Sequence, residues 1–134
     1  MRKLIASTFV SLDGVMQAPG GPTEDPTGNF TAGGWVSAFG DPEMDISSAG
    51  FDGKNRDIIL GRKTYDIFEA YWPYQSENNP IAKTLNAAKK YVASRTLKSV
   101  EWNNSSLLGD DIISAIPHLK HNPGKTFRLL AAEI

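Results

Sequence analysis

Two short clusters of basic and hydroxylic residues offer the plainest chemistry in this sequence: Gly61-Arg62-Lys63-Thr64 and Ser94-Arg95-Thr96. The first follows the apolar run Asp57-Ile58-Ile59-Leu60, and the second closes Lys90-Tyr91-Val92-Ala93-Ser94. Runs of this kind have the composition of strands buried on both faces. Beyond Thr64, the residues Tyr65, Phe68, Ala70, Tyr71 and Trp72 recur at roughly helical spacing. The first cluster therefore sits where a strand turns through glycine into a helix. Free backbone N–H groups and the positive end of a helix dipole gather there, beside two cations and a hydroxyl. Such a point binds anions, most economically a phosphate. A plain βα turn with a solvated Arg-Lys pair would give the same local pattern. The second cluster weighs against that alternative. Arginine grips phosphate through a rigid fork of donors, and in a parallel sheet both strand ends would face one edge.

A second group of candidates lies earlier in the chain. Leu4 to Leu12 reads as a buried strand ending in the turn signal Asp13-Gly14. Ligands in open α/β sheets bind outside the carboxyl ends of strands, which places Ser11, Asp13 and Gly14 at a site edge. Gly14 would let a ligand approach the backbone. Asp13 could hold a ribose hydroxyl or a ring nitrogen, or serve only as a structural Asx-turn. Residues 17–34 are rich in Gly, Pro, Thr and Asp. Loops of that length are usually functional lids or disordered. Trp35, after Gly33-Gly34, could wall a pocket for a flat ring or simply cover the core. Asp41-Pro42-Glu43 has the form of a helix start running through Met44 and Ile46 to Gly50 or Gly53. Its carboxylates Glu43 and Asp45 are candidates for a pocket acid, or first-turn partners of the helix dipole.

These candidates need a scaffold, and the remaining pattern supplies one. After the polar loop 73–80, residues Pro80 to Ala88 read as a short helix with Ile81, Leu85 and Ala88 on one face. Ser99 to Trp102 reads as a short edge strand, residues 103–106 as a polar turn, Asp110 to Lys120 as a helix containing Pro117, and Phe127 to Ala131 as a last strand. Strands alternating with helices in this way predict a doubly wound α/β domain with a mainly parallel sheet. His118 and His121 have the spacing of helical metal ligands, but Pro117 and Pro123 bracket them and no third ligand is evident, so no metal site is expected.

Composition narrows the function classes. The 134 residues suit one domain with a real core. A net charge of −1 gives no general affinity for nucleic acid or anionic membrane. Cysteine is absent, which excludes disulfides, thiolate catalysis and cysteine zinc sites, and fits a cytoplasmic setting. No apolar run is long enough to span a bilayer. Ser7, Thr8, Ser11 and Asp13 interrupt the only stretch that might have begun a signal peptide.

Four separated segments, LIASTFVSLDGVM, IILGRKTYDIFEAYWP, KYVASRTLKSVEWNNSSLL and DDIISAIPHLKHNPGK, occur in order from residue 4 to residue 125. Together they resemble the dihydrofolate-reductase-like family. More closely, they resemble stand-alone relatives of the reductase domain of bifunctional riboflavin-biosynthesis deaminase/reductases. The resemblance implies an NADPH-binding α/β fold, usually a homodimer. It implies hydride transfer to a flat heterocycle such as a pterin or a phosphoribosylaminouracil. By it, Gly61, Arg62, Lys63 and Thr64 hold cofactor phosphates, and Ser94, Arg95 and Thr96 lie along the adenosine 2′-phosphate. Ser11, Asp13 and Gly14 lie near nicotinamide and substrate, and Asp45 matches the pocket acid.

The resemblance also implies that five strands lie in the order fourth, third, second, fifth, first. The family continues past its fifth strand with a glycine-rich pyrophosphate loop, a helix and antiparallel strands. FRLLAAEI at residues 127–134 departs from that pattern. The expectation is therefore a domain incomplete at its C-terminus, from a truncated or frame-shifted reading frame, with an exposed first strand. The rival expectation is a catalytically inactive nucleotide-binding or dimerisation remnant.

Overall fold

A computed structural model describes residues 1–39 and 56–130. Asp45, the expected helix start at Asp41-Pro42-Glu43, and residues 131–134 lie outside the described residues. The elements are β1 (Leu4–Ser7), α1 (Trp35–Ala38), β2 (Asp57–Gly61), α2 (Arg62–Tyr71), α3 (Pro80–Ala87), β3 (Lys90–Ala93), β4 (Ser105–Leu107), α4 (Ile112–His121) and β5 (Phe127–Leu130). The strands form one sheet in the order β1-β5-β2-β3-β4, with every pairing parallel. This is the α/β class and the strand order expected above.

Parallel neighbours cannot be joined by hairpins, so each connection must cross a face of the sheet. Successive residues of a strand point to opposite faces. Ile58 and Leu60 join Val92 and Leu130 on one face, where Tyr65 of α2 and Leu85 of α3 cover them. Ile59, Tyr91 and Phe127 form the other face, where Leu119 of α4 packs. The sheet is thus wound on both sides. Ile58, Ile59 and Leu60 are all buried, as the central strand requires. Each such side chain stabilises the fold by about 1.5–3 kcal/mol. No helix among the described residues is long and apolar enough to cross a membrane.

Caps set the helix boundaries. The Asn79 side chain accepts from the N–H groups of Ile81 and Ala82, and Pro80 opens α3. Asp111 caps α4 by accepting from Ser114 N–H at 3.1 Å; the Ser114 hydroxyl first, and this N–H second, hold its carboxyl below the usual value. The helix runs through Pro117, leaving the Ile113 carbonyl without its usual donor. Ile113 itself is 85% exposed, on the solvent side of the helix.

Two strand boundaries differ from expectation. β1 ends at Ser7 opposite Leu130, and residues 8–12 leave the ladder. Leu4, Ile5, Phe9, Val10 and Leu12 are exposed. Residues 99–102 form no strand, and the edge strand is Ser105–Leu107. The reason is that the Glu101 and Trp102 N–H groups donate to the Tyr65 hydroxyl, at 3.0 and 3.1 Å, and not to a ladder. Asn104, at φ 61°, then turns the chain, and its carbonyl accepts from Lys90 N–H at 2.8 Å to start the β3–β4 ladder.

Arg2 fastens the amino edge of the sheet. Its guanidinium donates to the Lys125 carbonyl, pairs with Asp57, and lies 3.5 Å from the centre of the Phe127 ring. Its backbone N–H donates to the Lys120 carbonyl at 2.8 Å.

Lys90 is fully buried at the start of β3. Its ammonium closes the end of α3, donating to the carbonyls of Leu85 and Ala88 at 2.9 Å each, and lies 4.2 Å from the centre of the Trp102 ring. Burial lowers its pKa to about 8. Between about pH 8 and the ordinary lysine value of 10.5, the unfolded chain keeps a proton that the folded chain has shed. The stability contributed by Lys90 therefore rises with pH across that window. Lys90→Met strands buried carbonyls and is expected to cost about 1–3 kcal/mol at neutral pH. In urea denaturation, the wild-type minus Lys90→Met difference should grow between pH 8 and about pH 9.5; a flat difference would show that Lys90 does not titrate there.

Candidate functional site

The sheet register brings the two basic clusters to one edge. Gly61 ends β2 directly beside Ala93, the last residue of β3, so residues 62–64 and 94–96 leave adjacent strand ends. Gly61 is extended, at φ −70° and ψ 161°, a conformation open to any residue. A Cβ there would meet nothing within 4 Å. Neither backbone strain nor packing asks for this glycine, and the open space beside it suits a close-approaching ligand. Among the described residues no side chain caps the α2 N-terminus, and no acidic residue lies in its first turn. Among the groups described, the helix itself supplies no carboxylate to occupy its positive end.

The side chains of the two clusters divide into exposed and buried sets. Arg62 pairs with Asp66 at 2.7 Å, with both side chains nearly half exposed. An exposed pair of this kind is worth about 0–1 kcal/mol, so the guanidinium is readily drawn to another anion. Lys63 Nζ lies 3.6 Å from the Asp25 carboxylate. Arg95 and Thr96 are exposed. Thr64 and Ser94 are buried. The Ser94 hydroxyl accepts from the N–H groups of Thr96 and Leu97 at 3.2 and 3.0 Å. It shapes the turn that presents Arg95.

The substrate-side candidates are placed differently. β1 stops at Ser7, so Ser11, Asp13 and Gly14 lie in a separate turn beyond it. The Ser11 hydroxyl donates to the Asp13 carboxylate and accepts from Val15 N–H at 2.8 Å. Gly14, at φ 88°, takes the left-handed conformation that this turn needs, and a Cβ on it would meet no neighbour. Trp35 opens α1 and donates its indole N–H to the Gln17 carbonyl at 2.9 Å, bracing the 17–34 loop. His118 and His121 lie in α4, where the His121 ring contacts the Pro117 carbonyl at 2.8 Å.

A cavity of about 770 Å³ opens on the flank of α2, lined by Tyr65, Asp66, Glu69, Glu101 and Trp102 among others. Its described lining carries the carboxylates of Asp66, Glu69 and Glu101 and no cation, which disfavours an anionic ligand there. Its floor is organised by Tyr65, whose hydroxyl donates to Glu69 at 2.8 Å while accepting the two amides named above. Burial is the main cause of the raised Tyr65 pKa. The sequence marks Tyr65 only as one member of a helical stripe; nothing local to it signals a pin between α2 and residues 101–102.

No family model matches the chain. It is similar to the uncharacterized protein YyaP of Bacillus subtilis (strain 168), at 28% identity over 127 residues. The match covers 92% of this chain and 60% of that protein, so the chain spans less than two thirds of its relative's length.

Tyr65→Phe removes the acceptor of two amides and leaves the ring in place. The expected cost is about 1–3 kcal/mol in urea denaturation. Faster amide exchange at residues 101–102 should accompany it, and unchanged protection there would show that the pin is dispensable.

Proposed function

We propose that this chain is a reductase using a nucleotide cofactor, with NADPH lying across the carboxyl edge of β2 and β3. The observation that carries this reading is the side-by-side placement of the two basic turns, through the Gly61–Ala93 register. Crevices at the carboxyl ends of parallel strands are where α/β sheets bind nucleotides. Arg62, Lys63 and Arg95 supply positive charge, and Thr96 supplies a hydroxyl. The first N–H groups of α2 face the phosphates, and Gly61 leaves room for them. Ser94 acts from beneath, holding its turn in shape, and Thr64 is buried at the start of α2.

NADPH, when bound, supplies the hydride. The protein's share is orientation and electrostatics. Asp13, held by Ser11, would orient nicotinamide or substrate, with Gly14 and Trp35 on the same side. The substrate class on this reading is a flat heterocycle reduced at a C=N or C=O bond. Homodimerisation, a cytoplasmic setting and a place in riboflavin or pterin chemistry belong to the same proposal. Asp45 remains part of it by sequence match alone.

A second reading, a nucleotide-binding module without catalysis, is favoured by one observation: the Asp13 carboxylate is already engaged by Ser11. The two readings separate on turnover, since only a reductase oxidises NADPH in the presence of a heterocyclic acceptor.

Titrating the protein with NADPH and NADH, followed by tryptophan fluorescence, tests the cofactor site. Binding on the order of micromolar and selective for NADPH is expected. Arg95→Gln should weaken NADPH about tenfold and leave NADH unchanged, because it removes a charge-assisted contact to the 2′-phosphate. Equal affinity for both cofactors would defeat the assignment.

A further inference from the structure

The 17–34 loop brings a carboxylate to the basic turn. Asp25 Oδ2 lies 3.6 Å from Lys63 Nζ, and the aspartate side chain is 14% exposed against 48% for the lysine. The loop aims that carboxylate. Its Oδ1 accepts from Thr27 N–H at 3.0 Å. The Gln17 side-chain amide donates to the carbonyls of Asp25 and Thr27, at 3.1 and 2.8 Å. Gln17 is held in turn by Trp35. Gly33 passes so close to Pro22 that a Cβ on it would lie 2.6 Å from the proline carbonyl oxygen. A negative group braced this well meets the lysine before any ligand arrives.

We propose that Asp25 is the specificity-determining residue of the α2 anion site, holding Lys63 with its carboxylate and yielding it only to a dianionic phosphate monoester. This rests on the reading of the basic turn as a phosphate site. A phosphate monoester carries about −1.5 to −2 charges at neutral pH and three strong acceptor oxygens. It outbids a single carboxylate for the ammonium. A phosphodiester carries one charge, meets repulsion from Asp25, and gains too little from Lys63 to displace it. The ligand class selected is a nucleotide with a monoester phosphate, and the diphosphate bridge of a dinucleotide is not enough by itself.

The test compares 2′-AMP, a monoester, with 2′,3′-cyclic AMP, a diester, by calorimetry on the whole chain. The wild type should prefer the monoester by about tenfold or more. Asp25→Asn keeps an acceptor for Thr27 N–H and loses the charge. It should tighten the cyclic diester about fivefold and shrink the preference by the same factor, with the effect fading at high salt. Asp25→Ser, which also keeps an acceptor, should move both values in the same direction. Lys63→Met should shrink the preference, leaving what Arg62 and Arg95 supply, and make it insensitive to Asp25→Asn. Near-UV circular dichroism, which senses Trp35, checks that the loop stays folded in each variant. If both ligands bind and neither Asp25 variant changes their ratio, Asp25 is not the determinant and the anion site stands. If either variant weakens both ligands, Asp25 positions Lys63 and does not compete for it, and the proposal is overturned. If no protein binds either ligand, the phosphate reading falls and this inference falls with it.

Discussion

Parallel hydrogen bonding between β2 and its neighbours is the constraint from which the rest follows. β2 is laddered on both sides, to β3 and to β5, and buried on both faces. A parallel ladder forces every crossover over a face and sends every strand end to one edge. That geometry places two turns, 30 residues apart in sequence, side by side. No side-chain contact between the turns is required. The chemistry at the edge is a product of backbone register.

The two ends of the sheet have different electrostatic designs. At the amino edge, Arg2 and Asp57 are both largely buried and paired, with side-chain exposures of 6% and 13%. Those charges are committed to structure, and removing either one would strand the other. At the carboxyl edge the Arg62 and Lys63 side chains are nearly half exposed. Arg62 shares an exposed carboxylate, and Lys63 sits at the outer limit of an ion pair. Charges held this way remain available for exchange. Lys90 shows a third solution, a buried cation satisfied by helix carbonyls and an aromatic face.

Much of the fold was legible because its signals are local and dense. The run Ile58-Ile59-Leu60, the glycine after it and the helical stripe beyond leave few alternatives. Asn79-Pro80 marks a helix start through capping chemistry alone. The misread stretches fail for a common reason: their structure is decided by partners far away in sequence. Thr8 to Leu12 has strand composition, but a strand extends only as far as a neighbour offers N–H and C=O groups. Glu101 and Trp102 would pair well in a ladder, yet a hydroxyl 36 and 37 residues earlier takes their amides. The candidate site was legible in its charges and not in its restraint. Arg62, Lys63 and Arg95 are conspicuous as residue types. Asp25, one of two adjacent carboxylates in a polar loop, becomes meaningful only when the loop folds beside Lys63.

The Arg2 clamp bears on how the chain is made. Arg2 is bonded to Lys125, 123 residues later. β1 pairs with β5, the last strand described. On a ribosome adding about 5–20 residues per second, the amino-terminal segment waits roughly 6–25 s for its partner to be synthesised. During that interval the apolar stretch from Leu4 to Leu12 is tethered, unpaired and hydrated. This sequence thus has a built-in delay between exposing its stickiest segment and covering any of it.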